Sequence, residues 1–202
     1  MHVDLKRLEQ LFPTIYVTLI SVLIGLVLED LVSQIRDADT RGPWLWIIAA
    51  VSLSYCISTW TGYSFIAITQ KRRPRVFDSI NVFLVAIGLF LINSSIDQHP
   101  AFFFFVVAAY AWAAIYAVIY NFRMFLEVLP FESSFADYKW TVFVLIPFAL
   151  RFPIIGTLSV QNTLNNEVQI FLGATAMLVP IVWTSVFYPT WKNLLNRAKE
   201  AY

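Results

Sequence analysis

The stretch that decides the fold is residues 12–34, which read FPTIYVTLISVLIGLVLEDLVSQ. No charged residue occurs between Glu9 and Glu29. A helix that crosses a bilayer needs about 20 consecutive, mostly apolar residues, so this segment is predicted to be a membrane-spanning helix. The run is too long for the apolar region of a signal peptide, and no small-residue cleavage site follows it, so we expect the segment to be retained.

Five more apolar segments follow, separated by polar or proline-containing breaks: 44–68, 77–96, 101–125, 140–159 and 168–190. Of the 202 residues, 59% are apolar and 13% are charged, whereas soluble domains have about 45–50% and about 25%. Six spans leave room only for short connections. The chain is therefore predicted to be one all-α transmembrane domain over residues 1–202, a bundle of about six helices, which excludes a soluble enzyme.

The distribution of Lys and Arg predicts the orientation. With a cytoplasmic N-terminus, eleven of the fourteen basic residues lie on the cytoplasmic side, and only Arg36 and Arg41 lie on the other. The last one, Arg151, falls inside the fifth segment. Cytoplasmic loops of membrane proteins carry the excess of basic residues. Both termini are therefore expected to be cytoplasmic, and the membrane is expected to be the bacterial inner membrane.

A basic cluster stands between the second and third segments and consists of Lys71, Arg72, Arg73 and Arg75. Its position beside two spans places these side chains at the headgroups of anionic lipid. Contact with lipid or with a protein partner is therefore expected, and nucleic-acid binding is not.

Small and polar residues follow one face of the first helix. Thr14, Thr18, Ser21, Gly25 and Glu29 are spaced by four, three, four and four residues, which keeps them in line at 3.6 residues per turn. In lipid such a stripe marks either a seam for close helix packing or a hydroxyl-lined path. We call these five residues the α1 stripe, where α1 is the first helix, predicted over residues 12–34.

The second segment has two faces of small or polar residues. Ser54, Ser58 and Thr61 form one, which predicts pore lining or helix packing, and Tyr55, Thr59 and Gly62 form the other. A helix with two such faces is expected to be central in the bundle rather than to face lipid. In contrast, the run Phe102–Phe105 in the fourth segment is apolar on every helical face and predicts a surface that faces lipid.

Arg151 is a cation within a span, where it needs an acidic partner or water. Glu29, Asp30 and Glu167 are the carboxylates expected at a similar depth, so an intramembrane charge pair with Arg151 is predicted. A structural ion pair in a helix bent by Pro147 and Pro153 and a gate for an ion or proton are both consistent with this placement.

Catalytic patterns are missing from the sequence. It contains no Ser/His/Asp set in one membrane layer, no pair of intramembrane aspartates and no glycine-rich phosphate loop. The single cysteine, Cys56, lies in an apolar run, and His2 and His99 have no neighbouring ligand residues. We therefore expect no enzyme activity, no metal site and no cofactor.

Several stretches of the first two helices carry a likeness to a known family: Arg7-Leu8-Glu9, Phe12, Thr18-Leu19, Leu26-Val27-Leu28-Glu29, Ser54-Tyr55, and Trp60 with Tyr63. In these stretches the chain resembles the bacterial and endolysosomal potassium-channel family of six-span repeats. Pro13 and Thr14 follow Phe12 where that family has Ser-Asp, and Tyr63 stands where it tends to have His. The resemblance implies an oligomeric channel.

The sequence thus predicts a homo-oligomeric, channel-like membrane protein that conducts a small cation. The alternative is a non-conducting membrane sensor or anchoring subunit of a bacterial defence or signalling assembly. Its basic cytoplasmic face and the acidic residues Glu127, Glu132 and Asp137 would then bind a soluble cytoplasmic partner protein. A small-solute transporter is a third possibility.

Overall fold

The computed structural model describes residues 5–38, 42–69, 76–125, 135–181 and 184. Across these residues the chain is helical and contains no strand, which confirms the all-α class. The α-helices are α1 (Leu5–Asp37), α2 (Pro43–Thr69), α3 (Val76–Ser94), α4 (Pro100–Phe125), α5 (Phe135–Val160) and α6 (Asn166–Ala174). Short 3₁₀ turns follow α3 at Ser95–Asp97 and α6 at Thr175–Met177.

Three of the described helices are long and apolar enough to cross a membrane, over Pro13–Asp37, Pro43–Ser64 and Ile80–Asp97. They coincide with the first three predicted segments. Shorter apolar helical stretches occupy Pro100–Ala113, Leu145–Val160 and Asn166–Ile181. The predicted segment 168–190 extends beyond the continuous described residues, which end at 181.

The helices begin and end at residues whose chemistry fits those positions. Pro43 and Pro100 open α2 and α4, where proline removes only a backbone N–H that would have no helical partner. The His99 side chain caps α4, because its Nδ1 accepts a hydrogen bond from the Ala101 N–H at 3.2 Å. Asn165 caps α6 by accepting from the Val168 N–H at 2.9 Å.

The turn between α5 and α6 is tight and centred on Asn162, whose φ is 52°. The N–H groups of Asn162 and Thr163 donate to the carbonyls of Ser159 and Leu158 at 3.1 and 3.2 Å. This is the nested pair of hydrogen bonds that closes a helix when the residue after the cap is left-handed. It turns the chain directly into α6.

The α2 helix packs against α1, α3 and α6. It exposes large apolar side chains on another face, those of Trp46, Leu53, Ile57 and Trp60, so the prediction that α2 is central rather than facing lipid is not confirmed. The α1 helix also packs on α3, while α4 packs between α3 and α5. The core is formed by apolar side chains of all these helices, among them Ile20, Ile48, Leu89, Phe104 and Phe152.

The prediction that the Phe102–Phe105 run faces lipid is wrong for half of its residues. Phe103 and Phe104 are fully buried, whereas Phe102 and Phe105 are exposed. Successive residues of a helix point about 100° apart, so four in a row cannot share one environment once α4 lies between two neighbours. The Trp44 ring packs on both buried rings, and its centroid lies 5.3 Å from that of Phe103 and 5.9 Å from that of Phe104.

Candidate functional site

The α1 stripe is exposed, and among the described helices Trp60 of α2 reaches it, at Ser21. Thr14, Thr18, Ser21, Gly25 and Glu29 are all exposed. The opposite face of α1 is buried in the core through Tyr16, Ile20, Ile24, Val27 and Leu31. A Cβ atom placed on Gly25 would meet nothing within 4 Å. The α1 stripe is therefore not a packing seam between α1 and another described helix of the same chain.

The hydroxyl groups of the α1 stripe have defined directions. Thr18 Oγ1 donates to the Thr14 carbonyl and Ser21 Oγ donates to the Val17 carbonyl, both at 2.8 Å. Each hydroxyl proton is thus used within the helix, and the oxygen lone pairs remain available to outside groups. One of them is taken by Trp60 of α2, whose indole N–H donates to Ser21 Oγ at 3.1 Å. This part of the surface offers acceptors of hydrogen bonds rather than donors.

The polar face of α2 is placed differently from the α1 stripe. Ser54, Ser58 and Thr61 are only partly exposed. Ser54 and Thr61 donate to carbonyls of their own helix, those of Val51 and Ile57, each at 2.7 Å. The Ser58 hydroxyl lies 3.5 Å from the Thr184 hydroxyl. This α2 face thus contacts the last described part of the chain.

A buried polar contact that the sequence did not predict joins α1, α2 and α3. The Asn93 amide nitrogen donates to the Val27 carbonyl and to Asp30 Oδ2, at 2.9 Å in both cases. Asn93 Oδ1 accepts from the Ser52 hydroxyl. Asn93 and Ser52 are fully buried. All hydrogen-bonding groups of the amide are directed at these three residues, so the contact fixes how the three helices meet.

A second polar layer joins α2, α3 and α4. The Asn81 amide donates to the Tyr63 hydroxyl at 2.7 Å, and the Thr59 and Tyr110 hydroxyls are hydrogen-bonded. Tyr55 and Tyr110 meet edge to face with ring centroids 4.6 Å apart. Aromatic pairs in this geometry add specific attraction beyond the burial of their surface. The two α2 hydroxyls of this layer, those of Thr59 and Tyr63, lie in the C-terminal half of α2, whereas Ser52 lies in its N-terminal half.

Arg151 is half-buried on α5. Among the described residues, Arg36 forms an ion pair with Asp37, with Nε 3.1 Å from Oδ1. Arg151 forms no ion pair with any of them. Of the three carboxylates predicted to pair with Arg151, Asp30 accepts a hydrogen bond from Asn93, and Glu29 and Glu167 are exposed. The charge pair of Arg151 with one of these carboxylates stays a prediction.

In the described part of the chain no group of three or more His, Cys, Asp or Glu residues could hold a metal ion. Cys56 is buried in α2 as a free thiol. The basic cluster, consisting of Lys71, Arg72, Arg73 and Arg75, lies outside the described residues, as do Glu127 and Glu132.

Comparison with family models, with curated proteins and with solved structures finds no match to this chain. The likeness to the potassium-channel family therefore rests on the residues quoted from α1 and α2 and stays a prediction.

Proposed function

We propose that this chain is a six-span protein of the bacterial inner membrane, with both termini in the cytoplasm, that assembles with copies of itself into a channel for a small cation. The observation that carries the proposal is the exposure of the α1 stripe. A line of hydroxyls on a candidate membrane span is exposed. Ser21 accepts from Trp60 of the same chain, but lipid offers the other hydroxyl oxygens no hydrogen-bond donors.

Assembly around an axis gives the α1 stripe a suitable environment. Copies of α1 that meet there direct Thr14, Thr18 and Ser21 at one another or at water. The large apolar side chains beside the stripe, among them Ile15 and Val22, are more than half exposed. Rings of such side chains form a hydrophobic constriction that opens by wetting.

The charge and hydrogen-bonding character of the α1 stripe favours cations. Thr18 and Ser21 use their protons on their own helix and present lone pairs. Glu29 adds a carboxylate near the end of the stripe, and the sequence contains no Lys or Arg between Arg7 and Arg36. Rings of oxygen ligands and acidic side chains are typical of cation paths.

The test is the current carried by purified protein in planar bilayers under K⁺, Na⁺ and H⁺ gradients. Thr18→Val and Ser21→Ala should change the conductance, because they remove hydroxyls from the path at nearly constant volume. Phe102→Leu is the matched control, since Phe102 is exposed on α4, away from the stripe. It should leave the conductance unchanged.

Two outcomes would overturn the channel proposal. One is the absence of current in every gradient from protein that remains assembled. The other is an equal effect of the Thr18, Ser21 and Phe102 variants. Absence of current together with an α1 stripe packed against a neighbouring helix would favour the sensor or anchoring subunit instead.

A further inference from the structure

Two charged side chains on apolar helices, Arg151 and Glu29, form no ion pair with any described residue. Arg151 is half-buried on α5, and Glu29 is exposed on α1. A charge at membrane depth is costly unless an opposite charge, a backbone carbonyl or water satisfies it. Each of the two side chains can therefore gain from an opposite charge outside the described part of its own chain.

The two charges lie at similar depths. The α5 helix ends at Val160, nine residues beyond Arg151, and α1 ends at Asp37, eight residues beyond Glu29. At about 1.5 Å per residue, the two charges are about 13.5 Å and about 12 Å from the ends of their helices. In the proposed six-span arrangement α1 and α5 cross the membrane in the same direction, so both ends lie on the same side.

The other two carboxylates predicted to pair with Arg151 are placed differently. Asp30 accepts a hydrogen bond from Asn93. Glu167 lies in the first turn of α6, directly after the turn that ends α5, and thus at the end of a helix. Of the three carboxylates, Glu29 is the one that matches Arg151 in depth and is not already hydrogen-bonded to α3.

We propose that Arg151 of one copy pairs with Glu29 of the next copy, and that this pair fixes how the copies meet. The α1 helix packs on α2 and α3, whereas α5 packs on α4, so the two charges lie on different surfaces of the chain. A contact between two different surfaces repeats from copy to copy and closes into a ring when the rotation allows. The inference rests on the self-assembly in the proposed function and names the surfaces that meet.

The side chains around the two charges suit a contact between helices in which the ion pair decides the fit. Leu150 and Ile154 are exposed beside Arg151, as are Leu26 and Val32 beside Glu29. Lipid is as apolar as these side chains, so their burial gives little preference for one contact over another. The ion pair does give a preference, because either charge without its partner is costly in a poorly solvated place.

Glu29 can reach a neighbouring copy while the rest of the α1 stripe faces the axis. At about 100° per residue, Glu29 lies about 60° around the helix from Thr14. This is the edge of the stripe opposite to Ser21, which Trp60 of α2 contacts. A carboxylate accepts hydrogen bonds at both oxygens, so one oxygen can bind the neighbouring guanidinium while the other remains directed at the path.

The test mixes two variants of the full-length protein that carry different fluorescent tags, in liposomes. Glu29→Arg and Arg151→Glu each place like charges at the contact, so each alone should self-associate at least about tenfold more weakly than the wild type. In a mixture the two should associate with each other as strongly as the wild type does, because every contact between unlike copies joins opposite charges. Energy transfer between the tags measures the association. Glu167→Arg, the matched charge reversal at another exposed carboxylate, should leave self-association unchanged.

Rescue by mixing distinguishes a pair between copies from other roles of Arg151. If Arg151 pairs within its own chain or reaches a phospholipid headgroup, mixing restores nothing. That result would overturn this inference and leave the channel proposal standing. A wild type that does not self-associate would overturn both.

A crosslink provides a second measurement that keeps both charges and does not need the charge-reversed variants to fold. Leu26→Cys copies mixed with Leu150→Cys copies should be joined by a short bifunctional thiol reagent, and Cys56, which is 1% exposed, should react little. Phe143→Cys in place of Leu150→Cys is the control, because it lies on the same exposed face of α5 but about 10.5 Å further along the helix. Equal crosslinking of residues 143 and 150, or none at residue 150, would contradict the pairing.

Discussion

Among single residues, Asn162 is held in the left-handed region that asparagine and glycine tolerate best. We expect Asn162→Val to lower the free energy of unfolding by about 1–2 kcal/mol, because a β-branched side chain clashes with its own backbone at this φ. Asn162→Gly should retain the wild-type stability. Thermal unfolding in detergent compares the two, and a valine variant as stable as the wild type would contradict the expectation.

Residues differ in how much of their role the sequence predicts. The spacing of Thr14, Thr18 and Ser21 is enough to place them on one face of a helix. Asn93 shows no comparable pattern, because its partners Ser52 and Asp30 are 41 and 63 residues away in sequence. Helical periodicity indicates the face on which a side chain lies, but not the helix that it meets. For the same reason the charge of Arg151 predicts a need for a partner without identifying one.

Among the elements, the contact of α6 with α2 depends on Gly173. A Cβ atom at Gly173 would lie 2.6 Å from Cζ3 and 2.9 Å from Cη2 of Trp44. The Trp44 ring also packs on Phe103 and Phe104, so it cannot readily move away. Gly173→Ala should therefore destabilise the protein by about 1–3 kcal/mol, as other overpacked cores are destabilised. The thermal unfolding midpoint measures the effect.

Gly25→Ala is the control for this substitution. Gly25 is also a helical glycine, but a Cβ atom there meets nothing within 4 Å. Stability should be unchanged or slightly higher, because alanine favours a helix more than glycine does. Any change in the conductance of Gly25→Ala would then arise in the assembly and not in the folding of one chain. If both substitutions destabilised the protein equally, the effect at Gly173 could not be assigned to its close packing against Trp44.

Helix periodicity also explains for which helices the sequence predicts the faces that contact other helices. The α2 helix has small or polar residues on two faces, which favours contacts on several sides, and in the structure it packs against α1, α3 and α6. The start of α4 has apolar residues on all faces, so its sequence contains no sign of the direction in which Phe103 and Phe104 point. Only the presence of α3 and α5 on either side decides that.

For the whole molecule, we expect both termini and residue 72 to be cytoplasmic and the α5–α6 turn to lie on the opposite side. Cys56 is 1% exposed, so the native protein provides a background of low reactivity for cysteine labelling. Gln161→Cys should react with a membrane-impermeant thiol reagent in intact cells. Arg72→Cys should react only after the cells are permeabilised, and the reverse pattern would contradict the orientation.

Composition and pattern together predict the all-α class. A chain so apolar can satisfy its backbone in lipid only within helices or a closed barrel, and the sequence lacks the alternating pattern of barrel strands. The proposed assembly and its permeant ion would depend on contacts between copies and on the width of a path. Neither leaves a periodic mark on one sequence.

The contact around Asn93 also has a consequence for the order in which the protein is made. Asp30 and Ser52 precede Asn93 along the chain, so the ribosome completes α1 and α2 before this amide is synthesised. A lone amide in hydrocarbon leaves several hydrogen-bonding groups unsatisfied. If the helices insert in chain order, we expect the carbonyl, the carboxylate and the hydroxyl that pair with this amide to be in the membrane before α3 enters it. The first two helices would then prepare the insertion of the third.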